Sequence, residues 1–231
     1  MRVAVIPARG GSKRIPRKNI KPFAGKPMLN YALSAALNSG LFSIVAVSSE
    51  DPEILGLAEE FGAFPLRRPV ELADDWTPTV PVVAHAITAL EGREDPFEAV
   101  CCIYPAVPFL QQRDLESALT LLESSSAQYA FPIVSFPSAI QRALRLSADG
   151  SVSPFNPDAV NLRSQDLEPA YYDAGQFYWG RRNAWLSGAP VHPNGRGLVI
   201  PEWRAVDIDT LDDWQRAELM YHALIAQGEV R

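Results

Sequence analysis

From its second residue the chain repeats one unit, a short β-branched run followed by a helical segment, and this repetition most limits the folds open to it. Arg2-Val3-Ala4-Val5-Ile6, stopped by Pro7, reads as a buried strand. Tyr31 to Ser39 is helical and ends at Gly40, and Ile44 to Val47 is the next strand. Asp51-Pro52 opens a second helix, with proline at a first-turn position where its missing N–H costs nothing, and Gly62 closes it. A helix from Pro81 to Leu90, a strand from Ala99 to Tyr104, a helix opened by Asp114 and running through Leu122, and a strand from Tyr129 to Val134 continue the series. Such units predict an α/β fold with a mostly parallel sheet and helices on both faces. Sheets of this kind bind ligands at the carboxyl ends of their strands, which puts the site after Ile6, Val47 and Tyr104.

The alternation stops between about Pro137 and Tyr172, where a hairpin-like turn at Ala148-Asp149-Gly150 and a Pro- and Asn-containing stretch predict an excursion from a single domain spanning residues 1–231. Gln176 to Trp179 and Ala205 to Asp209 read as returning strands. Thr210, with Asp213 three residues on, has the spacing of a capping box for a last helix.

Composition removes several function classes. The chain has 231 residues, 47% of them apolar, enough to bury a core without staples. No run approaches the ~20 apolar residues of a membrane span, and the N-terminus turns polar too early for a signal peptide, so a cytoplasmic protein with no membrane partner is expected. Cys101 and Cys102 are adjacent and point to opposite faces of a strand, and His85, His192 and His222 lie far apart, so neither a disulfide framework nor a zinc site is expected. A net charge of −6 argues against nucleic acid as partner. Yet Arg9, Lys13, Arg14, Arg17, Lys18 and Lys21 fall together with no acid among them. A concentrated cationic spot on an acidic body suits a small polyanion.

That spot lies in Pro7-Ala8-Arg9-Gly10-Gly11-Ser12-Lys13-Arg14-Ile15-Pro16-Arg17-Lys18-Asn19. After a buried strand, two glycines allow close approach to a ligand, and successive N–H groups can form an anion-binding concavity while Arg9, Lys13 and Lys18 neutralise charge. A triphosphate is the expected anion. The segment is neither a Walker A loop nor the G-x-G-x-x-G of dinucleotide folds. Near the other end, Asp207-Ile208-Asp209 on a strand would turn both carboxylates to one face, where they suit Mg²⁺ as cofactor; capping or a solvated surface is the alternative for this pair.

Taken together these segments resemble the cytidylyltransferases that activate nonulosonic acids. Ile6 to Lys13 with Lys18-Asn19 resembles that family's nucleotide loop, Leu66 to Pro69 with Glu71 to Asp75 its base-binding stretch, and Asp207 to Thr210 its metal motif. Arg163 to Leu167 and Asp173 to Gly180 are similar to the pseudaminic branch. Where the sialic acid branch has Leu-Gln-Pro-Thr-Ser-Pro, this chain has Ile103-Tyr104-Pro105-Ala106-Val107-Pro108, which favours a differently substituted sugar.

The resemblance implies a Rossmann-like nucleotidyltransferase fold and a homodimer held partly by the excursion. It also implies a reaction in which CTP and a sugar acid give a CMP-sugar and pyrophosphate, for surface glycan or flagellin glycosylation. Pseudaminic acid is the expected acceptor, with sialic, legionaminic and 3-deoxy-octulosonic acids as alternatives and a non-catalytic CTP sensor as the reading from another class. Ala8, Arg9, Gly10, Gly11, Ser12, Lys13 and Lys18 would hold the triphosphate, and Arg68 and Thr79 the cytosine and ribose. Asn19, Tyr104, Arg163, Gln165, Gln176 and Tyr178 would meet the sugar, and Asp207 and Asp209 the metal. Lys18, Arg9 and Asp209 would carry the catalytic roles.

Overall fold

A computed structural model describes residues 1–91 and 97–228. The predicted β-α alternation is present. Strand β1 (Arg2–Pro7) is followed by α1 (Met28–Asn38), β2 (Ile44–Ser49), α2 (Pro52–Glu60) and β3 (Phe64–Arg67). Then come α3 (Thr79–Glu91), β4 (Ala99–Ile103), α4 (Gln112–Glu123) and β5 (Tyr129–Ser135). A hairpin, β6 (Leu144–Leu146) and β7 (Val152–Pro154), stands apart from the main sheet. The chain returns through β8 (Tyr171–Asp173), β9 (Phe177–Arg181), α5 (Arg182–Ser187), β10 (Gly195–Val199) and α6 (Leu211–Gln227).

The sheet runs β8-β5-β9-β4-β1-β2-β3, with β10 also paired to β5. β1 lies parallel between β2 and β4, Val5 opposite Ala46 on one side and Cys102 on the other. The sheet is mixed rather than uniformly parallel, because β9 runs antiparallel to both β4 and β5. Period-2 alternation sorts the apolar side chains onto two faces. Ala4, Ile6 and Cys101 pack under α1, α2 and α4 through Leu33, Ile54 and Leu119, whereas Val3, Val5 and Cys102 pack under α3 and α5 through Val83, Ile87 and Trp185. The two cysteines are fully buried on opposite faces as expected, and burial raises both thiols well above their ordinary pKa.

Local signals explain most boundaries. Asp51 caps α2 by accepting from the N–H groups of Glu53 and Ile54, and Pro52 opens its first turn. Thr210 and Asp213 form the reciprocal capping box of α6.

Two expectations are corrected. Ala205 to Asp209 is not a strand: the segment has no ladder partner among the described residues and is held by its side chains. Ile208 is 1% exposed in a third apolar cluster with Ile15, Phe23, Met28, Trp214 and Tyr221, and Arg204, just before it, is buried against Asp114. Asp114 for the same reason does not open its helix, which begins two residues earlier, but lies in the first turn paired to Arg204. Phe64–Arg67, Gly195–Val199 and the short helix Arg182–Ser187, which carry no strong periodicity, are additional elements.

Candidate active site

The loop after β1 and the segment before α6 meet because each sends an isoleucine into the same core. Ile15 and Ile208 are both essentially buried in that third cluster, which carries their flanking charged residues to a common surface. The Lys18 ammonium donates to the Ile208 carbonyl at 2.5 Å and lies 3.6 Å from the Asp209 carboxylate, and Arg14 pairs with Asp209 at 2.6 Å. A cleft of about 570 Å³ opens there, lined by Arg9, Ser12, Lys13, Arg14, Lys18 and Asn19 on one side. Arg68, Leu72, Asp74, Asp75, Thr77, Thr79, Val82 and Tyr104 line the rest, with Asp209 at its end. This is the predicted position, beyond the carboxyl ends of β1, β2 and β4.

The cationic cluster divides in three dimensions. Arg9, Lys13, Arg14 and Lys18 line the cleft, whereas Arg17 pairs with Asp51 and Glu53, and Lys21 lies over the Trp214 ring at 5.5 Å. Arg17, with φ 56°, is a left-handed residue fastened by its side chain, so its charge serves the loop's shape. Asp75 holds Arg9 and Lys13 together, and those two cations keep its carboxyl below the ordinary range, Lys13 foremost.

The glycines act differently from the simplest expectation. Gly10 donates its N–H to Glu50 at 2.7 Å, and a Cβ there would run into the Asp51 side chain, so its smallness admits α2's cap. Ala8 is buried and donates to the Ser48 carbonyl at 3.0 Å. Gly11 is exposed. Asn19, 6% exposed, fixes the loop by donating to the Arg9 carbonyl at 2.9 Å.

On the opposite side Arg68, 5% exposed, donates to Glu50 at 3.1 Å, so one carboxylate braces both the loop and the predicted base-binding arginine. Glu50 was missed by the sequence analysis; its only signal is its place one residue beyond β2. Thr79 and Tyr104 are hydroxyl to hydroxyl at 2.9 Å. Burial raises the Tyr104 phenol, and raises that of Tyr178 behind it further still, so both are neutral donors and acceptors.

Other predicted residues lie outside the cleft lining. Gln176 is 3% exposed and donates to the Arg204 carbonyl, bracing the segment that leads to the aspartates. Arg163 and Gln165 are exposed on the excursion, Arg163 paired with Asp166 at 2.8 Å. Asp207 is exposed beside Asp209; partial burial, then the like charge of Asp209, raises its carboxyl. No cluster of three or more His, Cys, Asp or Glu suited to a metal occurs among the described residues, so any cation held by this pair would draw its other ligands from substrate or water. No helix among those residues is long and apolar enough to cross a membrane.

A strand-end cleft with a cationic loop, a carboxylate pair and a braced arginine is the equipment for handling a nucleoside polyphosphate. Comparison with known proteins agrees. The cytidylyltransferase family model matches residues 3–196. The pseudaminic acid cytidylyltransferase of Campylobacter jejuni is 40% identical over 221 residues, covering 95% of each chain. The CMP-N,N'-diacetyllegionaminic acid synthase of Legionella pneumophila is 29% identical over 227 residues, covering 94% of each. A CMP:2-keto-3-deoxy-manno-octonic acid synthetase solved with CTP shares the fold, with a TM-score of 0.71 at 19% identity over 98% of this chain and 99% of the other. The chain belongs to the cytidylyltransferase family.

Proposed function

We propose that the protein transfers the cytidylyl group of CTP to a nonulosonic acid, pseudaminic acid before its relatives, releasing pyrophosphate. One observation carries this reading: Arg9, Lys13, Arg14, Lys18, Arg68, Thr79 and Asp209, drawn from both ends of the chain, line a single cleft of nucleotide size. The relative from Campylobacter supports the choice of acceptor.

The anomeric hydroxyl oxygen of the sugar attacks the α-phosphorus of CTP, the bond to the β-phosphate bridging oxygen breaks, and pyrophosphate leaves with that electron pair. The hydroxyl proton passes to one carboxylate of the Asp207–Asp209 pair. Arg9 and Lys13 offset charge on the departing pyrophosphate, and Lys18 stabilises the charge that builds at the α-phosphate. Arg68, buried and held by Glu50, and Thr79 orient the nucleoside. Two hard oxygen donors whose like charges disfavour each other fit Mg²⁺, completed by phosphate oxygens. When bound, the ion would supply further charge neutralisation at the triphosphate.

The excursion supports a homodimer: Leu144, Leu146, Val152 and Phe155 leave apolar side chains exposed on the hairpin, a face that a second copy would cover. Arg163 and Gln165, on the same excursion, then reach for sugar in the partner's cleft. A cytoplasmic location is part of the same proposal.

The reading is tested by pyrophosphate release from CTP and Mg²⁺ with a panel of pseudaminic, sialic, legionaminic and 3-deoxy-octulosonic acids. Pseudaminic acid is expected to give the highest kcat/KM, and Asp209→Ala to abolish most turnover while still binding CTP. CTP binding with no pyrophosphate from any acceptor overturns the transferase, and full turnover by Asp209→Ala at limiting Mg²⁺ overturns the metal assignment.

A further inference from the structure

Strands β1, β2 and β3 lie side by side, and the ladders that join them stop at Pro7 opposite Ser48 and at Ser49 opposite Arg67. One backbone bond carries each ladder a residue further: Ala8 donates to the Ser48 carbonyl at 3.0 Å, and Arg68 to that of Ser49 at 2.9 Å. There a side chain from the middle strand takes over. Gly10 N–H donates to one oxygen of Glu50 at 2.7 Å, and Arg68 Nη2 to the other at 3.1 Å. Arg68 lines the cleft, whereas Glu50 lies outside its lining.

An acid beside a cationic pocket opposes the binding of a polyphosphate by its charge. Glu50 also occupies the Gly10 N–H, a donor that such a loop would otherwise offer to a phosphate. What it gives in return is the place of Arg68. That residue is 5% exposed, Glu50 is its only acidic partner among the described residues, and its Nε has no hydrogen-bond partner there. A buried guanidinium held at so few points is placed by the one carboxylate it meets, and that carboxylate is itself placed by Gly10. The loop depends on Glu50 less, because Asn19 also fastens it by donating to the Arg9 carbonyl at 2.9 Å.

We propose that Glu50 is a positioning and specificity-determining residue, which sets Arg68 for the nucleoside and, by its charge and its hold on Gly10, disfavours ligands that are phosphate alone. This rests on the reading of the cleft as a CTP site. Free pyrophosphate meets the repulsion without the contact to Arg68, whereas CTP meets both. The cleft thereby favours CTP over the pyrophosphate it yields.

Glu50→Gln tests this, because an amide has one acceptor oxygen for two donors and turns its own NH₂ toward the second. Calorimetry compares CTP with inorganic pyrophosphate, which has no base. The Kd for CTP is expected to rise about tenfold, or about 1.4 kcal/mol, while that for pyrophosphate stays level or falls by up to about fivefold. The preference for CTP over pyrophosphate therefore drops about tenfold or more. A drop of less than about threefold, with both ligands unaltered or both weakened alike, would overturn the proposal. In an Arg68→Gln background there is no arginine to place, so adding Glu50→Gln is expected to weaken CTP no further, and a second tenfold loss there also overturns it. If Glu50→Gln folds poorly with Arg68 left unpaired, that comparison decides by itself, since the double variant buries no lone charge. Wild-type protein that binds no CTP sinks the reading of the cleft and this proposal with it; wild type that binds CTP, with the preference unaltered in the variant, sinks the proposal alone.

Discussion

On one wall of the cleft Arg9 and Lys13 rest on Asp75, and Arg14 and Lys18 on Asp209, whereas on the other Thr79 and Tyr104 meet oxygen to oxygen with no charge between them. The charged wall is solvent-facing: the Lys13 side chain is 79% exposed and that of Arg14 69%. The neutral wall is backed by the core, with Tyr178 between Tyr104 and Phe131. The difference teaches two routes to recognition. Exposed ion pairs are weak and screened, so carboxylates can hold cations in place and yield them to a triphosphate carrying more charge. A hydroxyl pair backed by packed rings cannot rearrange at low cost, so it selects by the fixed position of its groups.

The largest effect expected from this contrast is on the charged wall. Lys18, 20% exposed and held by the Ile208 carbonyl, is the most enclosed cation there, and in the proposed reaction it meets charge that develops only during transfer. Lys18→Ala is therefore expected to lower kcat by about 10²- to 10³-fold, the loss typical of removing one such donor, with CTP affinity changed far less. A variant that loses CTP affinity and kcat/KM in step while keeping kcat would show that Lys18 acts by ground-state binding, and the wall would be a docking surface only.

Asp75 gives a smaller effect of opposite sign. If it stands in for phosphate between Arg9 and Lys13, Asp75→Asn releases both cations, and CTP affinity should rise about two- to fivefold, the scale of an exposed pair. Calorimetry across a salt series sharpens the point, since the gain must shrink as salt rises. Weaker CTP binding in Asp75→Asn would mean that Asp75 orients the cations for the ligand instead of competing with it.

The two walls also differ in how far they could be read from sequence. The cations of the charged wall were legible because they are contiguous: a strand, two glycines and a run of bases point to an anion site without tertiary knowledge, whereas Asp75 and Asp209 join them only in three dimensions. Even there, charge alone did not separate Arg9 and Lys18 from Arg17 and Lys21, because the acid facing Arg17 comes from α2 and the ring under Lys21 from α6. The neutral wall brings Thr79 and Tyr104, with Tyr178 behind them, from three elements or their ends, and single residues of these types carry no local signal, so only the family resemblance named them. The fold was legible wherever period and caps agreed, as at Asp51-Pro52 and Thr210–Asp213. It was misread at Ala205 to Asp209, where alternation was real but served an isoleucine plug and a buried Arg204–Asp114 pair, not a ladder.

Asp51 offers the smallest effect and the cleanest separation of scaffold from chemistry. It caps α2, fills the space left by Gly10 and ties down Arg17, yet it does not line the cleft. Arg17 above all, then the N–H groups of Ile54 and Glu53, hold its carboxyl below the ordinary value of 3.8. A depressed folded pKa means stability that is present above the unfolded value and lost as pH falls through the folded one. Asp51→Ala should therefore cost about 1 kcal/mol at neutral pH, a fall of roughly 2–4 °C in Tm for a chain of this size, and the deficit relative to wild type should close below pH 3.8. Asp51→Asn keeps a capping oxygen and should recover part of the loss without the pH dependence. Because the residue serves the loop's shape and touches no proposed ligand, kcat should stay near wild type in both; a fall in kcat larger than the fall in stability would place Asp51 in the chemistry of the charged wall.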